Sequence, residues 1–291
     1  MKNSLVSVII PTFNRLAKLK LALKSIFFQT YSNIEIIIID NNSNDGTKDF
    51  ILKNLSDKVR LIQINNNGNI AKSRNLGIEN SRGSILAFLD SDDHWKSKKI
   101  EKSVQLIKNG YDLVFHDMYL KKRRYQLFHK KSGYTRDLGG NIFADLINNG
   151  PAFPTSSVVV KKKILKDVGN FSENPELITW EDYDAWIKIS KTTNRFRRLN
   201  ETLGYLGIGK DNYLKIDNRI KNIFSFSKKY LNKSNLPQWC LLSLVKDYFK
   251  SNLFILAYKR ILNVNFMKLK FLDLIKILYI LFVIRLSFLF K

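Results

Sequence analysis

VSVIIPTFNRLAKLKLALKSIFFQTYSNIEIIIIDNNSNDGT, residues 6–47, reads as a strand, a helix and a second strand closed by a polar turn. The two apolar runs are short, unbroken and rich in β-branched residues, which suits strands buried on both faces. The alternation continues outward through GTKDFILKNL, VRLIQI, NIAKSRNLGIENS, SILAFLD, KSKKIEKSVQLIKNG and YDLVFHD, to about residue 117. Strand and helix in turn predict an α/β architecture, a Rossmann-like, mostly parallel sheet with helices on both faces. Ligands of such sheets bind beyond the carboxyl ends of the strands. Three strands end in PTFN, DNNSNDG and DSDD, so these polar clusters should meet at one edge.

Residues 118–150 read as a basic hairpin or loop (KKRRYQLFHKK) and a short helix near NIFADLINN. PTSSVVVKKKILKDVGNF reads as a strand, a helix and a Gly-terminated turn, and TWEDYDAWIKISKTT as a helix with acids in its first turn. The helix dipole favours acids there, so capping alone would account for Glu181 and Asp182. From about residue 210 the chain is rich in Lys, Leu, Ile and Phe and reads as helical to its end.

Composition narrows the classes. With 291 residues, 45% apolar and 20 of them Phe, the chain can bury a sizeable core and is not of the disordered type. The single cysteine, Cys240, excludes an internal disulfide, and no clustered Cys/His spacing offers a structural zinc site. His94, His116 and His129 share no ligand spacing. A reducing, cytoplasmic setting is expected, and MKNSLVSVIIPTFNR lacks the apolar core and cleavage site of an export signal. The balance of 49 Lys+Arg against 25 Asp+Glu, a net charge of +24, calls for an anionic partner. Residues 210–291 hold 16 Lys/Arg and 4 Asp/Glu, so half of the excess lies there.

Against that background AFLDSDDHW, residues 87–95, crowds Asp90, Asp92 and Asp93 at the end of a strand. A solvated turn is the bland explanation, since Asp is common in turns. Crowded carboxylates nevertheless repel one another unless a cation or strong donors neutralise them. A hard divalent ion, Mn2+ or Mg2+, held by one or two carboxylates and by substrate phosphates would do so.

The strings VSVIIPTFNR, EIIIIDNNSNDGT, NGNIAKSRNLGIENSRGSILAFLDSDDHW, PTSSVVVKKKILKDVGNF and WEDYDAWIKIS, in this order, closely resemble the family 2 glycosyltransferases, inverting enzymes of the GT-A fold. The resemblance covers about residues 5–206. It implies a catalytic domain over 1–209, with a donor-binding half over about 1–117 and an acceptor-binding half over about 118–209. A basic helical region over 210–291 would follow. It further implies that Pro11, Thr12, Phe13 and Asn14 contact the nucleotide of a sugar donor. The family's Asp-Asp pair after the second strand is Asp40-Asn41 here, a departure. An amide both donates and accepts, so recognition of uracil remains open beside other bases. Gly68, Arg74 and Asn75 map onto the next donor-contacting segment. The DxD motif maps onto Asp90, Asp92 and Asp93, with Asp92 the expected direct metal ligand, Asp90 a ribose or water-mediated contact and Asp93 a support. The ion would bridge the donor phosphates and stabilise the departing nucleotide.

A base must also take the proton of the attacking acceptor hydroxyl. By resemblance this is Asp182, with Glu181 second, and Glu176 and Asp184 rank lower. In-line attack assisted by one base inverts the anomeric centre. No Q-x-x-R-W string follows, so transfer of one sugar per acceptor is expected rather than polymerisation.

MKLKFLDLIKILYILFVIRLSFLF, residues 267–290, is apolar but interrupted by Asp273, Lys276 and Arg285. That pattern favours an amphipathic helix lying in an anionic membrane surface over a spanning one, with packing on the catalytic domain as the alternative. The expected acceptor is then a polyprenyl-diphosphate-linked glycan of surface polysaccharide assembly, and the expected location the inner face of the cell membrane, peripherally. Two rival classes are a non-catalytic membrane-associated scaffold and a nucleic-acid-binding protein. The intact DSDD and WED strings count against the first. The acid cluster and the absence of a nucleic-acid motif count against the second.

Overall fold

The computed structural model describes residues 4–54, 58–120, 130–131, 135–207, 216–231, 236–251, 253–265, 267 and 271–289. The opening residues form β1 (Val6–Thr12), α1 (Leu16–Phe27), β2 (Ile34–Asp40), α2 (Thr47–Asn54), β3 (Val59–Gln63), α3 (Ile70–Glu79) and β4 (Ile85–Phe88). Strands β3, β2, β1 and β4 lie side by side in parallel. Val6, Val8, Ile9, Ile10 and Ile37 to Ile39 are fully buried, which is why these strands show no polar alternation. Helix α1 covers them with Leu19, Ala22, Leu23 and Ile26, spaced i, i+3, i+4 and i+7.

The sheet continues through β5 (His94–Trp95), β6 (Leu113–Leu120), β7 (Lys130–Lys131), β8 (Val159–Lys161) and β9 (Phe196–Leu206), with α4 (Lys99–Lys108) crossing between β5 and β6. The order is β3-β2-β1-β4-β8-β6-β9-β5, with β7 beside β6. β8 runs against β4 and β6, and β5 against β9, so the remaining strands of that path share one direction. The α/β, mostly parallel expectation holds. Most of the basic hairpin lies outside the described residues.

β9 was not read from the sequence. Its segment FRRLNETLGYL is broken by charges, and it pairs with β6 through two register shifts, His116 opposing Leu199, Asp117 opposing Thr202 and Met118 opposing Gly204. Asn200, Glu201 and then Leu203 are left over, and these irregularities mask the alternation of a strand. The consequence for the site is direct. The DSDD turn leaves central β4 and re-enters the sheet as β5 on β9, so it runs along the carboxyl edge.

Two compact units result, Met1–Phe143 with Pro151–Asn212, and Ala144–Gly150 with Tyr213–Lys291. The expected donor and acceptor halves therefore form one unit, and their proposed border falls inside β6. Residues 144–150, expected in the acceptor half, group with the C-terminal residues instead. In the first unit α6 (Lys162–Asp167) and α7 (Glu181–Ser190) follow β8. In the second unit α8 (Ile216–Tyr230), α9 (Gln238–Lys250), α10 (Phe254–Ile261) and α11 (Phe271–Leu289) form a bundle; α5 (Ile142–Asn149) begins two residues before the boundary. The bundle buries Phe226, Cys240, Leu244, Val245, Ala257, Ile277 and Ile284. Among the described residues no helix is long and apolar enough to cross a membrane.

Candidate active site

The loops after β1, β2 and β3 each turn through a left-handed residue: Asn14 (φ 47°) after β1, Asn42 (φ 53°) and Gly46 (φ 84°) after β2, Asn67 (φ 50°) and Gly68 (φ 78°) after β3. Asn and Gly tolerate that conformation best, which explains their density in these loops. The loops are also tied together. Asn14 N donates to Ser43 Oγ (2.9 Å), Asn44 N to Asn14 Oδ1 (2.8 Å), and Leu16 N, at the start of α1, to Asp45 Oδ2 (2.8 Å).

Between them lies a cleft of about 720 Å3. Pro11, Thr12, Phe13, Asn14, Asn41 and Gly68 all line it. Thr12 Oγ1 is buried without a hydrogen-bond partner, and the ring of Phe13 is 53% exposed. Asp40 is placed differently. It is fully buried, and its carboxylate accepts from Ser43 N and Oγ, so it shapes the turn beneath the cleft and does not line it. Asn41 is fixed through Oδ1, which accepts from Asn66 N at 2.8 Å. Arg15, Lys18, Asp45, Asn66 and Ser73 also line it, and the sequence alone gives them no role.

A second cavity of about 280 Å3 shares Ile70 with the cleft and is lined by Arg74, Asp90, Asp93, Thr155, Glu181 and Asp182. It unites the two acidic motifs, which stand some ninety residues apart in the chain. Arg74, 3% exposed, joins them: Nη1 donates to Glu181 Oε1 (2.6 Å) and Nη2 to Asp90 Oδ1 (2.9 Å). Burial opposes its charge, but the carboxylates of Asp90, Glu181 and Asp182 more than compensate and hold its pKa above the ordinary guanidinium value. Arg74 is therefore a bridge inside the protein. Asn75, mapped beside it, clamps the 171–173 loop, accepting from Phe171 N and donating to Glu173 Oε1.

Asp182 sits at the N-terminus of α7, where Oδ1 accepts from Tyr183 N (2.6 Å) and Oδ2 from Thr155 Oγ1 (2.5 Å). Burial raises its pKa above the ordinary value, and Arg74, Thr155 and the Tyr183 amide only partly offset this. Burial likewise raises Glu181, against the pull of Arg74. Glu181 is 4% exposed. Glu176 is exposed, and Asp184 is buried beside Lys188, 3.5 Å away.

In the DSDD turn the three aspartates diverge. Asp93 Oδ1 accepts from Gly207 N at 2.7 Å, and Asp90 N donates to Ser156 Oγ at 3.0 Å. Asp92, with a side chain 6% exposed, pairs with Arg15 Nη1 at 3.1 Å and Lys18 Nζ at 3.9 Å. Its Oδ2 nonetheless has no aligned hydrogen bond. Burial raises the pKa of Asp92 and pushes Asp93 up further. Gly207 packs so closely on this turn that a Cβ there would stand 2.3 Å from Asp92 O. Trp95 is buried and donates from Nε1 to Ser156 O (2.7 Å), so it supports the turn from below.

These residues fit a divalent ion in one mode only. Among the described residues no group of three or more His, Cys, Asp and Glu converges as a preformed cage. Asp93 is committed to Gly207. Asp92 and Asp90 offer hard oxygen donors, one of them buried without an aligned donor, which suits an ion completed by phosphate oxygens.

A family model, Glycosyl transferase family 2, matches residues 7–169, more than half of the chain. An uncharacterized glycosyltransferase of Rickettsia felis is 34% identical over 195 residues, which is 64% of this chain but 30% of that protein. The chain thus spans under a third of that relative's length. The UDP-Glc:alpha-D-GlcNAc-diphosphoundecaprenol beta-1,3-glucosyltransferase WfaP of Escherichia coli is 28% identical over 67% of this chain and 74% of its own. Among solved structures, S. aureus TarS 1-349 in complex with UDP-GlcNAc superposes with a TM-score of 0.64 over 84% of this chain and 73% of that one, at 19% identity.

Proposed function

The chain belongs to glycosyl transferase family 2, and from that premise we propose that it moves one sugar from a nucleotide-sugar, a UDP-sugar, to an acceptor hydroxyl with inversion. The observation that carries this reading is the bridge of Arg74 between Asp90 and Glu181, which sets the donor-side acids and the acid pair of α7 around one cavity.

In this reading the nucleotide occupies the larger cleft. The exposed ring of Phe13 offers a stacking face for the base, and the unpartnered Thr12 Oγ1 and the Asn41 amide offer polar contacts. Asp92 and Asp90 would hold Mn2+ or Mg2+, which when bound neutralises charge on the diphosphate leaving group. Asp182 is the base. It is less buried than Glu181, its pKa is raised toward the working range, and its Thr155 hydrogen bond fixes its orientation. Glu181, ion-paired with Arg74, is a weaker base and holds the guanidinium in place.

The acceptor is a polyprenyl-diphosphate-linked glycan in surface polysaccharide synthesis. The diphosphoundecaprenol acceptor in the name of WfaP supports this, as does α11, whose exposed Ile275, Leu278, Tyr279 and Phe282 lie beside Lys276. A location at the cytoplasmic face of the membrane follows from such an acceptor. The test is transfer of labelled sugar from UDP-glucose, UDP-galactose and UDP-N-acetylglucosamine to polyprenyl-diphosphate-sugar acceptors. Transfer by the wild type, lost in Asp182→Asn, supports the reading. No transfer and no donor hydrolysis with any of them contradicts it.

A further inference from the structure

The periodicity that buries Leu19, Ala22, Leu23 and Ile26 of α1 should leave its opposite face polar. That face is only partly polar. Leu21 is 49% exposed, Phe27 50%, and Phe28, which caps the helix, 66%. They share the surface with Lys20 and Lys24, and positions 20, 21, 24, 27 and 28 form a single stripe at helical spacing. α1 carries three lysines and no acid. Lys24 Nζ lies 5.8 Å from the centre of the Phe28 ring. Two neighbouring phenyl rings held in water are costly, and none of the contacts of the donor cleft or the acid cavity uses them.

Lysines interleaved with exposed aromatic rings complement a surface that is anionic outside and apolar beneath. We infer that this face of α1 docks on an anionic phospholipid surface, Phe27 and Phe28 entering the headgroup region and Lys20 and Lys24 meeting lipid phosphates. These residues are not those of α11; they lie on the catalytic unit itself. The first turn of α1, Leu16 to Lys18, lines the donor cleft, and Phe27 follows about 16 Å along the helix axis at about 1.5 Å per residue. Docking would thus hold the donor cleft close to the lipid surface. The inference extends the reading of a lipid-linked acceptor but stands on different residues from it.

The test is flotation of the full chain with phosphatidylcholine vesicles, with and without phosphatidylglycerol. The wild type should float only with the anionic vesicles. Phe27→Ser with Phe28→Ser, and separately Lys20→Glu with Lys24→Glu, should each weaken that binding at least about tenfold. Having two chemically different variants keeps the test decisive if one fails to fold. Wild-type binding by both folded variants overturns the inference, and does so even where Phe282→Ser in α11 abolishes flotation, which would leave the lipid-linked reading standing. A wild-type dimer that becomes monomeric in Phe27→Ser with Phe28→Ser, with lipid binding unchanged, also overturns it, because the face would then join two copies of the chain.

Discussion

Arg74 donates to Glu181 Oε1 at 2.6 Å from a side chain that is 3% exposed, so an ion pair removed from water links α3 to the start of α7. Removing one partner of such a pair strands a buried charge. Arg74→Gln should therefore destabilise the protein by about 3–5 kcal/mol, read by chemical denaturation. Glu181→Gln should cost less, because Arg74 keeps Asp90.

Glu181 and Asp182 should separate kinetically. Asp182→Asn should lower kcat by about 100-fold to 10,000-fold, with donor affinity close to wild type. Glu181→Gln should lower it less. Steady-state kinetics with the donor that supports transfer decide between them, and equal losses would assign the pair a joint role.

With Asp182 as the proposed base, activity should fall as pH drops through its pKa, because a base works only when ionised. Burial raises that pKa, so the acid limb should lie above the ordinary carboxylate value of 3.8. Thr155 donates to the ionised form and lowers the pKa. Thr155→Val should therefore move the acid limb to higher pH, and a kcat–pH profile of the two proteins checks the direction.

A Cβ at position 207 would stand 2.3 Å from Asp92 O and 2.9 Å from Asp92 Cβ. Gly207→Ala should shift the DSDD turn, at a cost of about 1–3 kcal/mol from overpacking, and weaken nucleotide binding. Calorimetric titration with UDP shows the second effect.

Glu35 is 2% exposed and accepts from Ser7 Oγ, Arg82 N and Nε, and Gly83 N. Burial alone would raise its pKa, but these hydrogen bonds carry it below the ordinary 4.5. A lowered folded-state pKa stabilises the fold above the unfolded value, and the stabilisation is lost as pH falls through the folded one. The wild type should lose stability on acidification below about pH 4.5. Glu35→Gln should be less stable by about 1–3 kcal/mol near neutrality and flatter in that acid range, as measured by melting temperature against pH.

The parallel core was legible because strands buried on both faces are written as unbroken apolar runs such as IIIID, and their covering helices by spacing. β9 was not, since it is irregularly paired and five polar residues (Arg197, Arg198, Asn200, Glu201 and Thr202) interrupt it. In the site, residues at or just beyond a strand end could be placed at the carboxyl edge: Thr12 ends β1, Asn41 follows β2 and Asp90 stands two residues past β4. Asp40 was misjudged because position predicts proximity but not which way a side chain turns, and here Ser43 turns it inward. Thr155 and Gly207 reach the acids from distant segments, so no local pattern announces them. Arg15, within PTFNR, has no local sequence signal of its role. Only its ion pair with Asp92 shows where it acts.

The most direct test of the account is thermal unfolding of the full chain with UDP, dTDP, GDP and CMP, each with and without Mn2+, for the wild type and Asp92→Asn. UDP with Mn2+ at about 100 times its dissociation constant should add about 2.7 kcal/mol to the stability of the wild type, and Asp92→Asn should lose that gain. A wild type whose unfolding is unmoved by every nucleotide, with or without the ion, would contradict the assignment of the cleft and the acid turn to a sugar-nucleotide donor.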